Sequence, residues 1–319
     1  MRDVIDIINT NESFVLAGHT GPDGDCIGSC YGLAYVLEAM GKKVAVLLEP
    51  YPHKYNVLPG RKFLYTGDID ALDFDVLICL DCADSARLGF VQPLLAKAHT
   101  SVCIDHHATN VGFADVNYIE ANTASTSEIV YRLAEQLVPI TRDIATAIYT
   151  GIVCDTGGFK YNATTKTTME IAGKLLDTGI NFTDIYSEVL HKHSFAAAKA
   201  KGIALANMKR TKCKKIVYSH ITNAELTKID ASSHELDGIV EYLLNTNNAL
   251  CSFFVYEKKD SNGNLIAKIS LRSIAPDVGS IAAKLGGGGH KLAAGANYGT
   301  DIAKAVDDAL KLIMQEILV

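Results

Sequence analysis

No apolar stretch opens the chain. Its first residues, Met1-Arg-Asp-Val-Ile-Asp6, carry charge where a signal peptide would carry a hydrophobic run. The least polar window, residues 144–154, holds two threonines and is too short to span a bilayer. A low-complexity tail and internal repeats are missing as well. These absences point to a soluble, cytoplasmic, globular protein. A basic balance is also lacking, since 30 Lys and Arg against 36 Asp and Glu leave a net charge of −6. Proteins that grip long duplexes usually show a basic footprint, because phosphate neutralisation dominates their affinity. An anionic ligand of this chain is therefore expected to be small and held locally. The one basic cluster, Lys209-Arg-Thr-Lys-Cys-Lys-Lys215, reads either as a solvated stretch or as a contact for an oligonucleotide backbone.

Paired cysteine motifs are scarce. Of eight cysteines, only Cys79-Leu-Asp-Cys82 forms a CxxC, and no second pair lies at zinc-ribbon spacing. Cys26, Cys82 and Cys154 each neighbour an aspartate. We read these thiols as small buried groups on core strands in a reducing compartment.

What the chain does have is length and apolar content. With 319 residues, 48% of them hydrophobic, it should form two domains with sizeable cores. In the first half, apolar strands are expected at residues 14–18, 44–48, 74–80 and 101–104. Between and after them come helix-length stretches at 28–40, closed by Gly41, and at 91–99, 125–137, 141–153 and 165–179. Such alternation of unbroken apolar strands with helices predicts an α/β fold with a parallel sheet. Helices at 181–192 and 194–209 would carry the chain out of this domain. The second half reads as strands at 216–221, 250–257 and 265–272 with helices at 237–244, 278–285 and 301–317. A hairpin turn is expected at Asp260-Ser-Asn-Gly-Asn264. The predicted domains are residues 1–192 and a smaller α/β domain, residues 193–319.

Polar chemistry gathers after three of the strands. The first strand runs into His19-Thr-Gly-Pro-Asp23-Gly-Asp25-Cys-Ile-Gly28-Ser29, where the glycines and proline force an irregular turn before a helix. Alone, this stretch also admits the reading of a loop with a helix N-cap. The third strand, however, ends at Asp81, and the fourth at Asp105-His106-His107. In open α/β sheets the ligand crevice lies beyond the carboxyl ends of the strands, so these clusters should converge. Asp155 follows a later helix. His19, Asp23, Asp25, Asp81, His106, His107 and Asp155 are more ligands than one cation needs. Two cations sharing a carboxylate fit better, and such pairs activate water and stabilise both oxygens of an in-line phosphoryl displacement. Carboxylates mixed with imidazoles favour Mn²⁺, with Mg²⁺, Co²⁺, Fe²⁺ and Zn²⁺ as competitors.

This order of motifs resembles the DHH phosphoesterase superfamily. The resemblance implies that His19, Asp23 and Asp81 hold one ion and Asp25, Asp81, His106 and Asp155 the other, Asp81 bridging. It implies that Asp105 fixes an imidazole and that His107 faces the substrate phosphate, so that Asp81, Asp105 and His107 are the catalytic set. Arg87 and Asn110 resemble polar residues that follow these motifs, and each reads as a substrate contact or a loop anchor. Ser29 reads either as an anion contact at a helix start or as a cap.

The second domain carries Arg272 and the run Gly286-Gly-Gly-Gly289-His290. By composition the run is a flexible linker or an anion-binding nest of amides. Together with Arg272 it resembles the DHH-associated C-terminal domain. That likeness implies a substrate grip by Arg272, Gly287, Gly288, Gly289 and His290, with the active site in the cleft between the domains. Within the superfamily the layout is most like that of nanoRNases. The expected activity is Mn²⁺-dependent hydrolysis of short oligoribonucleotides to mononucleotides and removal of the 3′-phosphate of 3′-phosphoadenosine 5′-phosphate (pAp). A soluble cyclic di-AMP or pApA phosphodiesterase is the alternative, and a nucleotide sensor that binds without cutting is a third reading. Expected partners are short oligoribonucleotides, pAp or pApA, with neither a long duplex nor a membrane; a homodimer is compatible with the sequence.

Overall fold

The computed structural model describes residues 1–260 and 263–317. The chain divides into two compact units, Met1–Lys192 and His193–Val319. The expected turn at residues 260–264 includes 261 and 262, which lie outside the described residues.

In the first unit, α1 (Arg2–Thr10) precedes β1 (Ser13–Ala17), α2 (Gly24–Ala39) and β2 (Lys43–Leu47). Then come β3 (Val76–Leu80), β4 (Thr100–Asp105) and β5 (Val116–Ile119), followed by α3 (Thr126–Leu137), α4 (Arg142–Asp155), α5 (Lys166–Leu176) and α6 (Phe182–Tyr186). The five strands pair in the order β2-β1-β3-β4-β5, all parallel. Successive strands lie to opposite sides of β1, so the sheet has its switch point between β1 and β3, the place at which open α/β sheets generally bind ligands, beyond the carboxyl ends of the strands. The strands are unbroken apolar runs because both faces are covered. Phe14, Leu16, Val76 and Ile78 pack in one core with α2, α3 and α4, and Val15, Ala17, Leu77 and Cys79 in another.

Several elements differ from the expectation. Residues 91–99 form no α-helix: Ser85–Ala96 is a kinked series of 3-10 turns, broken at Gly89 (φ 57°) and interrupted by Pro93. The link from β2 to β3 likewise contains only short 3-10 turns. The helix read at 28–40 begins at Gly24, because the Asp23 side chain caps it by accepting from the amides of Asp25 and Cys26. Cys26, Cys30 and Cys154 accordingly sit on helices rather than strands, and Cys213 is exposed; the remaining thiols are buried.

The second unit starts with α7 (Phe195–Ala206), then β6 (Lys209–Arg210), β7 (Ile216–Ile221), α8 (Asn223–Thr227) and α9 (Ile239–Leu244). β8 (Cys251–Lys259), β9 (Leu265–Ser273), α10 (Val278–Lys284), β10 (Gly288–His290), β11 (Ala293–Tyr298) and α11 (Ile302–Ile317) complete it. Its six-stranded sheet runs β10-β11-β9-β8-β7-β6, antiparallel except for the β7–β8 pair. One face packs on α10 and α11 through Phe253, Ile269, Leu271 and Ala294; the other carries α7 and α9 over Val217 and Phe254. Among the described residues no helix is long and apolar enough to cross a membrane.

Candidate active site

The residues after β1, β3 and β4 meet at the switch point. His19 is buried and donates from Nδ1 to the carbonyl of Thr20 (3.0 Å), which leaves Nε2 facing Asp81 Oδ2 at 3.6 Å and Asp23 Oδ1 at 3.8 Å. His106 is set in the same way. Its Nδ1 lies 3.2 Å from the carbonyl of Thr123, and its Nε2 faces Asp81 Oδ1 at 3.6 Å and Asp155 Oδ2 at 3.3 Å. Imidazoles fixed at one nitrogen with the other turned toward carboxylates are oriented as metal ligands commonly are. The two oxygens of Asp81 thus address two different imidazoles. Asp81 itself holds a left-handed backbone (φ 58°), a conformation non-glycine residues adopt at a cost.

Asp25 is not in the loop but in the first turn of α2, and a close helix crossing brings it to Asp155. A Cβ at Gly28 would lie 2.6 Å from the carbonyl oxygen of Ala147 and 2.9 Å from the amide nitrogen of Gly151. Small residues at both positions therefore let α2 and α4 approach. Asp25 and Asp155 lie one helical turn from Gly28 and Gly151. Among the described residues three side-chain groups have ligand atoms within 4.8 Å of one another: His19 with Asp23 and Asp81, Asp25 with His106 and Asp155, and Asp81 with His106 and His107.

The electrostatics follow from this crowding. Burial, reinforced by the charges of Asp81 and Asp155, pushes the Asp25 carboxyl well above the ordinary range. Burial, partly offset by His106, lifts Asp155 to about 6. Burial pulls the His19 imidazole down, but the carboxylates of Asp23 and Asp81 outweigh it and raise the group to about 11. Among the described residues no lysine or arginine is ion-paired with Asp23, Asp25, Asp81 or Asp155; the ion-pair partners of Asp23, Asp81 and Asp155 are imidazoles. Carboxylates packed this closely, without a basic side chain to neutralise them, fit divalent cations as a donor set.

Asp105 ends β4 fully buried. It accepts from His107 Nδ1 (2.7 Å) and the His106 amide (2.8 Å) on one oxygen and from Asn110 Nδ2 (2.6 Å) on the other. Burial works against the Asp105 carboxylate, yet these donors hold its pKa below the usual value, and the same bond raises that of His107. Asn110 anchors the loop: its amide also donates to the carbonyl of Cys82 and its oxygen accepts from Gly112. Ser29 is no anion contact either: it is fully buried within α2 and donates to the carbonyl of Cys26. Arg87 anchors through its backbone, its carbonyl accepting from the Thr20 amide at 2.7 Å, while its half-buried guanidinium has no hydrogen bond or ion pair among the described residues.

The sequence reading missed Thr126 and Ser127. Their amides, at the start of α3, donate to both oxygens of Asp25 (2.6 and 2.9 Å), and Thr126 Oγ1 donates to Asp81 Oδ1 at 3.0 Å. A helix N-terminus suits a buried carboxylate. The signal was Ser125-Thr-Ser-Glu128, a capping pattern that announces exposed amides.

In the second unit, Arg272 and His290 share one row of the sheet, since His290 pairs with Ala293 and Ala293 with Arg272. Directly opposed residues of antiparallel strands project to the same face. The glycine run is not a nest. The Gly286 amide donates to the carbonyl of Ala283 and that of Gly287 to Ala282, closing α10, and Gly288–His290 is a strand. The Gly287 amide is therefore spent on the helix cap.

Fold and site define a metal-site phosphoesterase of the DHH class. A model of the DHH family N-terminal domain matches residues 13–152, and one of the DHHA1 domain matches residues 214–318. The chain thus carries a DHH domain followed by a DHHA1 domain. It is 29% identical over 99% of its length to the bifunctional oligoribonuclease and PAP phosphatase NrnA of Thermus thermophilus, covering 94% of that protein. The protein of the same description from Bacillus subtilis is 27% identical, with 98% of each chain covered. Among solved structures, an exopolyphosphatase-related protein from Bacteroides fragilis superposes with a TM-score of 0.87 at 29% identity, covering 99% of this chain and 96% of that one.

Proposed function

We propose that this chain is a two-metal phosphoesterase that hydrolyses short oligoribonucleotides to mononucleotides and removes the 3′-phosphate of pAp. The observation that carries the reading is Asp81, whose two oxygens face His19 on one side and His106 on the other. His19, Asp23 and Asp81 would hold one divalent cation and Asp25, Asp81, His106 and Asp155 the other, with Mn²⁺ the favoured metal. Two such cations supply Lewis acidity for phosphoryl displacement. The chain's own groups orient and protonate. Asp105 holds His107 by Nδ1, which keeps the imidazolium to higher pH and leaves the Nε2 proton for the leaving oxygen of the substrate. Arg272, with His290 in the same sheet row, takes the phosphate of the nucleotide. Two relatives spanning nearly the whole chain, each described as an oligoribonuclease and PAP phosphatase, support this choice of substrate.

The test is turnover with Mn²⁺ of pAp, pApA, a five-nucleotide RNA, long single-stranded DNA, cyclic di-AMP and pyrophosphate. Cleavage of pAp and the short RNA ahead of the others is expected. Preference for cyclic di-AMP overturns the substrate assignment, and binding of pApA without cleavage under Mn²⁺, Mg²⁺ and Co²⁺ overturns the enzyme reading.

A further inference from the structure

Arg272 does not stand free on its strand. Its Nε donates to Glu241 Oε1 at 2.8 Å and its Nη1 to the backbone carbonyl of Leu271 at 2.9 Å. A guanidinium has five N–H donors in a rigid fork, so three remain. The pair lines a cavity of about 290 Å³ with His234, Phe254, Tyr256 and Ser270. Both partners are substantially solvent-exposed, at 32% and 45%, and so exposed an ion pair contributes little to stability. Its geometry also differs from a stabilising fork-to-fork pair. Only one carboxylate oxygen of Glu241 is engaged, and Oε2 is enclosed without any hydrogen-bond partner. The carboxylate thus takes Nε alone, and of the four outer N–H donors only one, on Nη1, is engaged, by the carbonyl of Leu271.

The anchor itself is firmly seated. Glu241 rides on α9, whose Ile239, Val240 and Leu243 are buried against the sheet, and Ser252 Oγ donates to the carbonyl of Val240 at 2.8 Å. Ser252 pairs with Arg272 in register. The helix that carries Glu241 is therefore pinned to the row from which Arg272 projects.

We propose that Glu241 is a positioning residue for Arg272. It fixes the guanidinium from the Nε side so that the three remaining N–H donors form a preset fork for the phosphate of a nucleotide. This rests on the reading of Arg272 as the phosphate-binding residue. A flexible arginine would have to be ordered at each binding event; one already held loses less on binding.

The experiment is steady-state kinetics of the full chain on pAp and on a small activated phosphodiester, bis(4-nitrophenyl) phosphate. The variants are Glu241→Ala, Glu241→Gln, Arg272→Ala and the double alanine variant, each also checked by thermal denaturation. Glu241→Ala should raise KM for pAp roughly three- to tenfold with kcat little changed. Glu241→Gln, which keeps an acceptor for Nε, should restore KM to near that of the parent. In the Arg272→Ala background, loss of Glu241 should add nothing. Glu241→Ala should lose less kcat/KM on the small diester than on pAp, because the diester lacks the nucleotide phosphate that the fork would hold. If Glu241→Ala raises KM equally with and without Arg272, or if the diester suffers in parallel with pAp, the positioning role is refuted. If Arg272→Ala leaves KM for pAp unchanged, the phosphate-binding reading of Arg272 fails first, which is distinguishable from failure of Glu241 alone.

Discussion

At the scale of single residues, Asp81 concentrates the demands of the site. It is buried, holds φ at 58°, and accepts from Thr126 while facing three imidazoles. Its charge also helps raise the pKa of Asp25 and Asp155. Asp81→Asn separates these roles. Asparagine tolerates the left-handed backbone and still accepts from Thr126, but it relieves the repulsion with Asp25 and Asp155. Turnover with Mn²⁺ should fall by ~10³-fold or more, the loss of several kcal/mol of transition-state stabilisation. In EDTA the variant should melt at or above the temperature of the parent chain. Near-normal turnover would sink the shared-ligand model; a lower melting temperature in EDTA would show that the carboxylate cluster is not under electrostatic strain.

At the scale of elements, the glycine run after α10 gives each position a different physical task. Gly286 has φ 80° and Gly289 φ 143°, while a Cβ on Gly289 would lie 2.6 Å from the Cα of Ala294. A Cβ on Gly288 would meet nothing within 4 Å, without a positive φ. Gly286→Ala should therefore cost about 1 kcal/mol and Gly289→Ala more, whereas Gly288→Ala should stay within about 0.5 kcal/mol. Urea melts of the three variants check the order; equal losses would mean the run is a uniform flexible turn. The run also marks the limit of what the sequence discloses. The motif residues were legible because unbroken apolar runs locate strands, and the acids and imidazoles come directly after them. Asp25 was legible as a site residue, but its place on α2 was not, because Asp23 serves both as cap and as site carboxylate. The glycine run hid a helix cap and a strand, since glycine composition is the same for a nest, a cap and an edge strand. Residues 91–99 misled by length: the stretch is long enough for a helix, yet Gly89 and Pro93 enforce 3-10 turns. The link from Arg272 to Glu241 spans 31 positions and has no sequence signature at all.

At the scale of the molecule, the site carboxylates and imidazoles all belong to Met1–Lys192, whereas Arg272 and His290 belong to His193–Val319. Each unit has its own apolar core: Ile78, Ile104 and Ile148 among others in the first, Phe253, Ile269 and Ile281 in the second. A cation that binds only the folded first unit stabilises that unit by mass action, about 2.7 kcal/mol at a free concentration a hundredfold above Kd. For a domain of this length that corresponds to a rise of roughly 5–10 °C in melting temperature. Calorimetry of the whole chain should then resolve a transition that moves upward with added Mn²⁺ and returns with EDTA, and a second that ignores the metal. Asp81→Asn should flatten the response of the first, because its carboxylate is common to both proposed ion sites. Movement of neither transition would remove the metal reading of the cluster. Movement of the Asp81→Asn transition by the full amount would show that the ions are held without the residue on which the two-metal arrangement turns.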